Sequence, residues 1–551
     1  MKDYRISVLI KQKNLVISSV ITALLIGFFF VFGAACKKSG MYFETTPIMI
    51  MCGFLLSAIL FFAVMYAYFF LRRLNIKYAS ASRERKPLAV KYRIIIFLIM
   101  FLAWVPYLLA IYPGAFTYDV TNQFIQHFYG ESYSNHHPLV YTIYLTDMIK
   151  LGYKLTGDFN IGILFLNLSN MLLGSALFTA VMSYIYRKGV CRAIFYAGVI
   201  YYAFFPTIAI FSNCAAKDVF FSYEIILFVY LYMRTADAYD VDIKGRRTIL
   251  LDVAMAVTTM LMLLGRKNAI YAFVLFVPVQ LLLMKKNRIH RLVVLLIGFA
   301  GFVAGTVILN AIYEPEPDYT SEKLSVPIQQ IARVYVLHGE DEIFDEEQKL
   351  LLDSVYLNNF GAYCGINADV VKSGIIDGEM DRRLPDFMKD IWLDIGLKYP
   401  TEYINAFILN IYQAFYPFTD ITGYQVSGQD MPGSSTCYFQ YEVNSPGEFD
   451  GKLPIIYDFA ENISIHWSLY KIPIVGLLFT VGFHMWLLVF ASGYSGYAAN
   501  KKALSANMMI IFLMFTNFLG PLVLVRYYLV LFYAFPLMLH ELNAVSVADE
   551  G

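Results

Sequence analysis

"LVYTIYLTDMIKLGYKLTG", residues 139 to 157, decides how this chain is threaded through a membrane. It has nearly enough apolar residues to cross, yet it is aromatic and carries Asp147, Lys150 and Lys154. A helix of that composition suits the interface plane, its apolar side among acyl chains and its cations among headgroups. If the segment crosses, Arg187, Lys188 and Arg192 fall outside. If it lies flat, all the short basic loops fall on one side, and cytoplasmic loops are where Lys and Arg collect. The cations therefore select the flat reading.

Outward from this segment the composition is that of an integral membrane protein. The chain of 551 residues is 58% hydrophobic and 17% aromatic, and only 15% of it is charged, against about 25% for soluble domains. Apolar runs of about 20 residues, long enough to cross a hydrocarbon core, recur near 15–34, 47–71, 94–112, 161–186, 193–211 and 219–233. They continue near 249–264, 269–284, 292–313, 472–490, 508–523 and 527–539. The pattern predicts a mainly α, polytopic protein of about twelve spans with both termini inside. Lys2 to Lys13, Arg72 to Arg93, Arg187 to Arg192, Lys244 to Arg247, Lys285 to Arg291, and Lys501 with Lys502 then mark the inner side.

A net charge of +1 and the lack of a basic stripe with interleaved aromatics give no footprint for nucleic acid. Six cysteines are too few for a disulfide scaffold. Cys364 and Cys437 fall in an outer segment and either pair there or stay as thiols. "FGAAC" (32–36) is a faint lipoprotein-type signal lacking the usual Leu, so the first span reads as an uncleaved anchor.

Four blocks follow. Residues 1–93 hold two spans and a basic cytoplasmic linker. Residues 94–313 form a seven-helix module whose first outer loop runs from 113 to 160. Residues 314–470 are polar enough for an extracytoplasmic α+β domain, and residues 471–551 add three spans. In the outer block, apolar spacing predicts helices after Pro327 and Glu346 and two more in 384–418, broken at Pro400. The Gly, Ser, Asn and Pro-rich stretch after them predicts loops with short strands.

The positive-inside pattern leaves several outer charges unexplained: Asp119 beside Tyr118, Lys217 and Asp218 in "NCAAKDVF", Arg266, Lys267 and Asn268 in "GRKNAI", and Arg526 in "LVRYYLV". An ionisable group at a span end is costly unless it has a partner or faces water. Guanidinium and ammonium groups converging at headgroup depth suit a lipid phosphate; taken singly, the same cations could merely snorkel to the headgroups. Asp218 also fits a dipole-favoured first-turn position. Asp119 is placed either as a general base or as the N-cap of a helix starting near Thr121. His127, His136 and His137 lack a metal-site spacing, so a divalent cation is possible but not favoured, and no cofactor is certain.

A seven-span module with a long acidic first outer loop, a "HHPL" element (136–139) opening an interfacial helix, and an outer domain after the seventh span resembles the GT-C superfamily of membrane glycosyltransferases. It is most similar to the branch of protein O-mannosyltransferases and aminoarabinose transferases, with "HHPL" similar to that branch's His-Pro-Pro-Leu. The resemblance implies a polyprenyl-phosphate-linked sugar donor and a glycan, lipid or protein acceptor at the outer face of the cell membrane. It also implies that Asp119 is the base, that Lys217, Arg266 and Arg526 hold the donor phosphate, and that His136 and His137 orient the loop or touch the donor. Many of those relatives carry Asp-Glu where Asp119 is followed by Val120. The rival readings are a polymerase using diphosphate-linked chains and a lipid-linked glycan transporter, which should show paired halves or broken mid-membrane helices.

Overall fold

The computed structural model describes residues 9–78, 84–116, 118–419, 453–461 and 472–543. It is mainly helical, as expected where lipid leaves no water to satisfy the backbone. The first helices are α1 (Lys13–Ser39), α2 (Pro47–Tyr78), α3 (Val90–Ala110), α4 (Tyr118–Phe128), α5 (Leu139–Thr156) and α6 (Phe159–Arg187). They are followed by α7 (Arg192–Phe204), α8 (Pro206–Phe211), α9 (Lys217–Val241), α10 (Arg246–Gly265), α11 (Ala269–Leu283) and α12 (Arg288–Tyr313). Seven of these, namely α1, α2, α3, α6, α9, α10 and α12, are long and apolar enough to cross a membrane. The described part of the outer block holds α13 (Ser325–His338), α14 (Glu346–Val355), α15 (Asp377–Asp386), α16 (Asp394–Lys398) and α17 (Pro400–Phe415). The chain closes with α18 (Val481–Tyr497), α19 (Lys501–Asn517) and α20 (Leu529–Leu542).

Several helix ends depart from the apolar runs, because caps and breakers set the ends whereas hydropathy marks only the middle. The run near 193–211 is two helices, broken where Pro206 forces Phe205 into an extended conformation. The run near 472–490 becomes helical only at Val481, where the Thr480 hydroxyl caps the Phe483 N–H. The run near 508–523 starts earlier, at Lys501, and ends at Asn517, before Gly520 and Pro521. α9 extends beyond 219–233 at both ends, through the polar "RTADAYDV".

The opening stretch is a helix that lies beside the first half of α6. Leu145, Ile149 and Gly152 form its buried side, and Asp147, Lys150, Leu151, Lys154 and Leu155 its exposed side. Two glycines let the helices touch: a Cβ on Gly152 would lie 2.5 Å from Gly162 Cα, and one on Gly162 would lie 2.4 Å from the Ile149 carbonyl oxygen. Further along, the Tyr144 hydroxyl donates to Asn170 Oδ1 at 3.1 Å.

In the outer block all four expected helices form. α15 runs through a π-helical segment, Phe387–Leu393, into α16, and Pro400 opens α17. Ile328, Ile331, Val355, Met380 and Phe387 form the core of this block. The second half of α17 leaves it: Leu409, Ala414 and Phe415 join the main membrane core, and Tyr416 packs where Gly33 of α1 has no side chain. The regular elements described in the block are helices, with one isolated antiparallel bridge between Tyr356 and Ile375. The strands expected between 420 and 452, and Cys437, lie outside the described residues.

The loop expected to be the first outer one, residues 113–160, is mostly helical. Strand β1 (Ala115–Phe116) pairs in parallel with β2 (Cys214–Ala215), Ala115 opposite Cys214. Gly114 leads in at φ +121°, and a Cβ there would lie 2.0 Å from Asn167 Nδ2, an amide that donates to the Pro113 carbonyl at 3.1 Å. α4 starts at Tyr118, so Asp119 sits in its first turn and is not the cap of a helix beginning near Thr121.

Candidate functional site

The β1–β2 pair fixes the starts of α4 and α9 side by side. Asp119 Oδ2 lies 2.9 Å from Lys217 Nζ, and the same ammonium lies 3.1 Å from His137 Nδ1. The next residue, Asp218, faces the other way and is 1% exposed. It accepts from Arg266, at the end of α10, and its second oxygen lies 3.6 Å from Arg526 Nε. Adjacent residues of one helix thus join an Asp119–Lys217–His137 group to an Arg266–Asp218–Arg526 group. Both guanidiniums also lie over the Tyr527 ring, 4.9 and 5.1 Å from its centre, a cation–π arrangement. Arg526 Nε and Nη1 are buried without a hydrogen-bond partner, so donors remain for an acceptor.

Burial pushes the Asp119 carboxyl up, but Lys217 and Arg526 outweigh it and hold the group well below the usual carboxylate range. Burial, reinforced by Lys217, lowers His137 to about 3. The imidazole is therefore neutral, and since Lys217 has only protons to offer, Nδ1 accepts and Nε2 carries the hydrogen.

A second cluster stands beside the first. Asp318, just past α12, lies 3.2 Å from His136 Nδ1 and 2.5 Å from Lys267 Nζ. Burial raises this carboxyl, but the hydrogen bonds from His136 and Lys267 prevail and hold it at about 2. The two histidine rings are 4.5 Å apart. Asn268 works as a fastening: its amide donates to Thr516 Oγ1 at 3.0 Å and to Asn517 Oδ1 at 2.9 Å. Asn517 in turn donates to the Tyr527 carbonyl at 2.7 Å, which fixes the turn bearing Arg526. Tyr118 opens α4, and its side chain lies outside the described ones.

All the expected charged residues and both histidines therefore gather at one end of the bundle. Asp318 and Tyr527 are members that the sequence reading did not single out. Asp318 is one of four carboxylates in "EPEPDYTSEK" just past the seventh run and has nothing to set it apart from Glu314, Glu316 and Glu322, and Tyr527 has only its place beside Arg526 as a signal.

Two cavities meet here. An apolar crevice of about 300 Å³ starts at His137 and Lys267, passes Leu139 and Leu263, and reaches Phe302 and Leu309 on α12. A polar groove of about 530 Å³ is lined by Asn122, Gln126, Glu131, Ser134, His137 and Glu316, among others. His137 borders both. Among the described residues no group of three or more His, Cys, Asp and Glu side chains gathers as a metal-binding cluster.

Comparison with known proteins places the chain in a family: it belongs to the family of unknown function DUF6020, whose model matches residues 130–550. The matched stretch takes in every candidate from His136 to Arg526. No curated protein and no solved structure matches the chain.

Proposed function

We propose that this protein is a membrane glycosyltransferase of GT-C type. It moves a sugar from a polyprenyl-phosphate-linked donor to a glycan, lipid or protein acceptor at the extracytoplasmic face of the cell membrane. It crosses the membrane about twelve times with both termini inside, and α5 lies in the outer interface. The observation that carries this reading is the linked set Asp119–Lys217–Asp218–Arg266–Arg526, whose neighbour His137 lines both an apolar crevice and a polar groove.

In this account the polyprenyl chain lies in the crevice and its phosphate reaches Lys217, Arg266 and the unsatisfied donors of Arg526. The acceptor enters by the polar groove. Its hydroxyl or amide attacks the anomeric carbon, the bond from that carbon to the phosphate oxygen breaks, and the acceptor's proton passes to Asp119. The three cations stabilise the charge growing on the departing phosphate, where such help counts most. With the site empty, Lys217 neutralises Asp119. A phosphate competing for that ammonium raises the basicity of Asp119, so that donor binding itself arms the base.

The test is transfer by the purified full chain reconstituted with polyprenyl-phosphate and polyprenyl-diphosphate sugars, alongside Arg526→Gln. The reading expects transfer from the monophosphate donor and donor binding weakened at least about tenfold in the variant, the loss of a charge-assisted bond. Transfer only from the diphosphate donor would turn the reading to a polymerase, and movement of a lipid-linked glycan without transfer would turn it to a transporter.

A further inference from the structure

A second charged cavity stands at the far end of the same helices. α3, α6, α9 and α10 each have one end near Asp119 and Lys217; their other ends enclose a cavity of about 550 Å³. The seventeen residues from Lys217 to Arg234 on α9 separate the two by about 26 Å, close to a hydrocarbon thickness of about 30 Å. The cavity therefore belongs to the opposite headgroup layer.

Its lining combines four arginines, Arg93, Arg187, Arg234 and Arg247, with an apolar wall that includes Ile94, Phe97, Ala176 and Ala180. Among the described residues no carboxylate lines it. Among the described residues only Arg187 of the four has a carboxylate within 4 Å, Glu84 at 3.6 Å, and that carboxylate is already held by Lys188 at 2.6 Å. Arg234 donates to the Tyr230 hydroxyl at 2.5 Å, a neutral partner that leaves its charge uncompensated. Thr179, only 7% exposed, also lines the cavity, and its hydroxyl has no hydrogen-bond partner. Four arginines that share a single carboxylate neighbour, next to an unused hydroxyl, suit an anion, although Arg93 and Arg247 are also exposed to solvent. The greasy wall between α3 and α6, where Ile94 is 52% exposed, requires hydrocarbon.

We propose that this cavity binds an anionic phospholipid, its phosphodiester among the four arginines and its first acyl carbons against Ile94, Phe97 and Ala180. Basic pockets between membrane helices on the cytoplasmic side hold such headgroups, and the guanidinium fork matches two phosphate oxygens. A zwitterionic lipid is disfavoured because its own ammonium would meet the same arginines. The site is separate from the one containing Asp119 and does not depend on what reaction that one performs.

The experiment is native mass spectrometry of the full-length protein, exchanged from bilayers containing equal phosphatidylglycerol and phosphatidylcholine. Wild type is compared with Arg234→Gln/Arg247→Gln and with Lys285→Gln/Lys501→Gln, which removes the same charge from exposed positions on the same side. Wild type should keep one phosphatidylglycerol, the arginine variant should hold it at least about tenfold more weakly, and the lysine variant should match wild type. Ala180→Leu narrows the cavity but keeps all four cations, and it should lose the lipid too, so a folding defect in the arginine variant does not blur the result. Equal loss in the arginine and lysine variants, equal retention of phosphatidylcholine, or displacement by excess inorganic phosphate would overturn the assignment; the last would mark a site for free anions.

Discussion

At the scale of single residues, the site depends on charges that balance only as a set. Asp218 stands between two arginines in almost complete burial, and breaking a buried pair from one side costs about 3–5 kcal/mol because the other charge is left uncompensated. Asp218→Asn should therefore lower thermal stability by that order, read as a melting shift in detergent. An unchanged melt would mean that solvent already screens the arginines. His137 gives a pH signature with a defined sign. Its folded value is depressed to about 3, so between there and an unfolded value of about 6.5 the unfolded chain takes up a proton that the folded one refuses. The stabilising term is complete above about pH 6.5 and is lost as pH falls toward 3. His137→Gln, which keeps an acceptor for Lys217, should reduce the fall in stability between pH 6.5 and 4 by an amount of order 3 kcal/mol. An identical pH profile in the variant would contradict a neutral, buried His137. The sequence made these residues legible one at a time, as charges that the positive-inside rule left over. It could not show that Lys217 and Asp218, consecutive in the chain, face opposite clusters.

At the scale of elements, small residues set the geometry. Gly114 leads into β1 at positive φ with Asn167 against it, so the register that joins Asp119 to Lys217 depends on a residue without a side chain. Gly152 and Gly162 do the same for α5 on α6. Gly162→Leu should force those helices apart, lower the melting temperature, and reduce donor binding through the His137 end of α5. A variant as stable and as active as wild type would show that the close crossing is dispensable. The helices themselves were largely readable: α5, α13, α14, α17 and all the long apolar ones follow from periodicity and hydropathy. Their ends were not, because the Pro206 break after Phe205, the Thr480 hydroxyl cap and the stop at Asn517 are local features that hydropathy does not register. The two-residue parallel pair was also out of reach, since it joins Ala115 to Cys214 across about a hundred residues of chain and has no local sequence signal.

At the scale of the whole molecule, the account sets the Asp119 site and the arginine cavity on opposite membrane faces. Topology tests this directly. In a background with all six native cysteines replaced, Leu155→Cys should react with an impermeant thiol reagent from outside intact cells, and Lys244→Cys only after lysis. The reverse pattern, Lys244→Cys labelled in intact cells and Leu155→Cys only after lysis, would show that α5 crosses, and the orientation would have to be redrawn. The remaining question is whether the outer assembly is a catalyst, and one comparison answers it most directly: sugar transfer by reconstituted wild type and Asp119→Asn, matched for folding and donor binding. The account predicts that wild type transfers sugar from a polyprenyl-phosphate donor and that the variant binds donor yet turns over at least about a hundredfold more slowly, the range expected on losing a general base. Equal turnover in the two proteins would contradict it, leaving Asp119 as no more than the structural partner of Lys217.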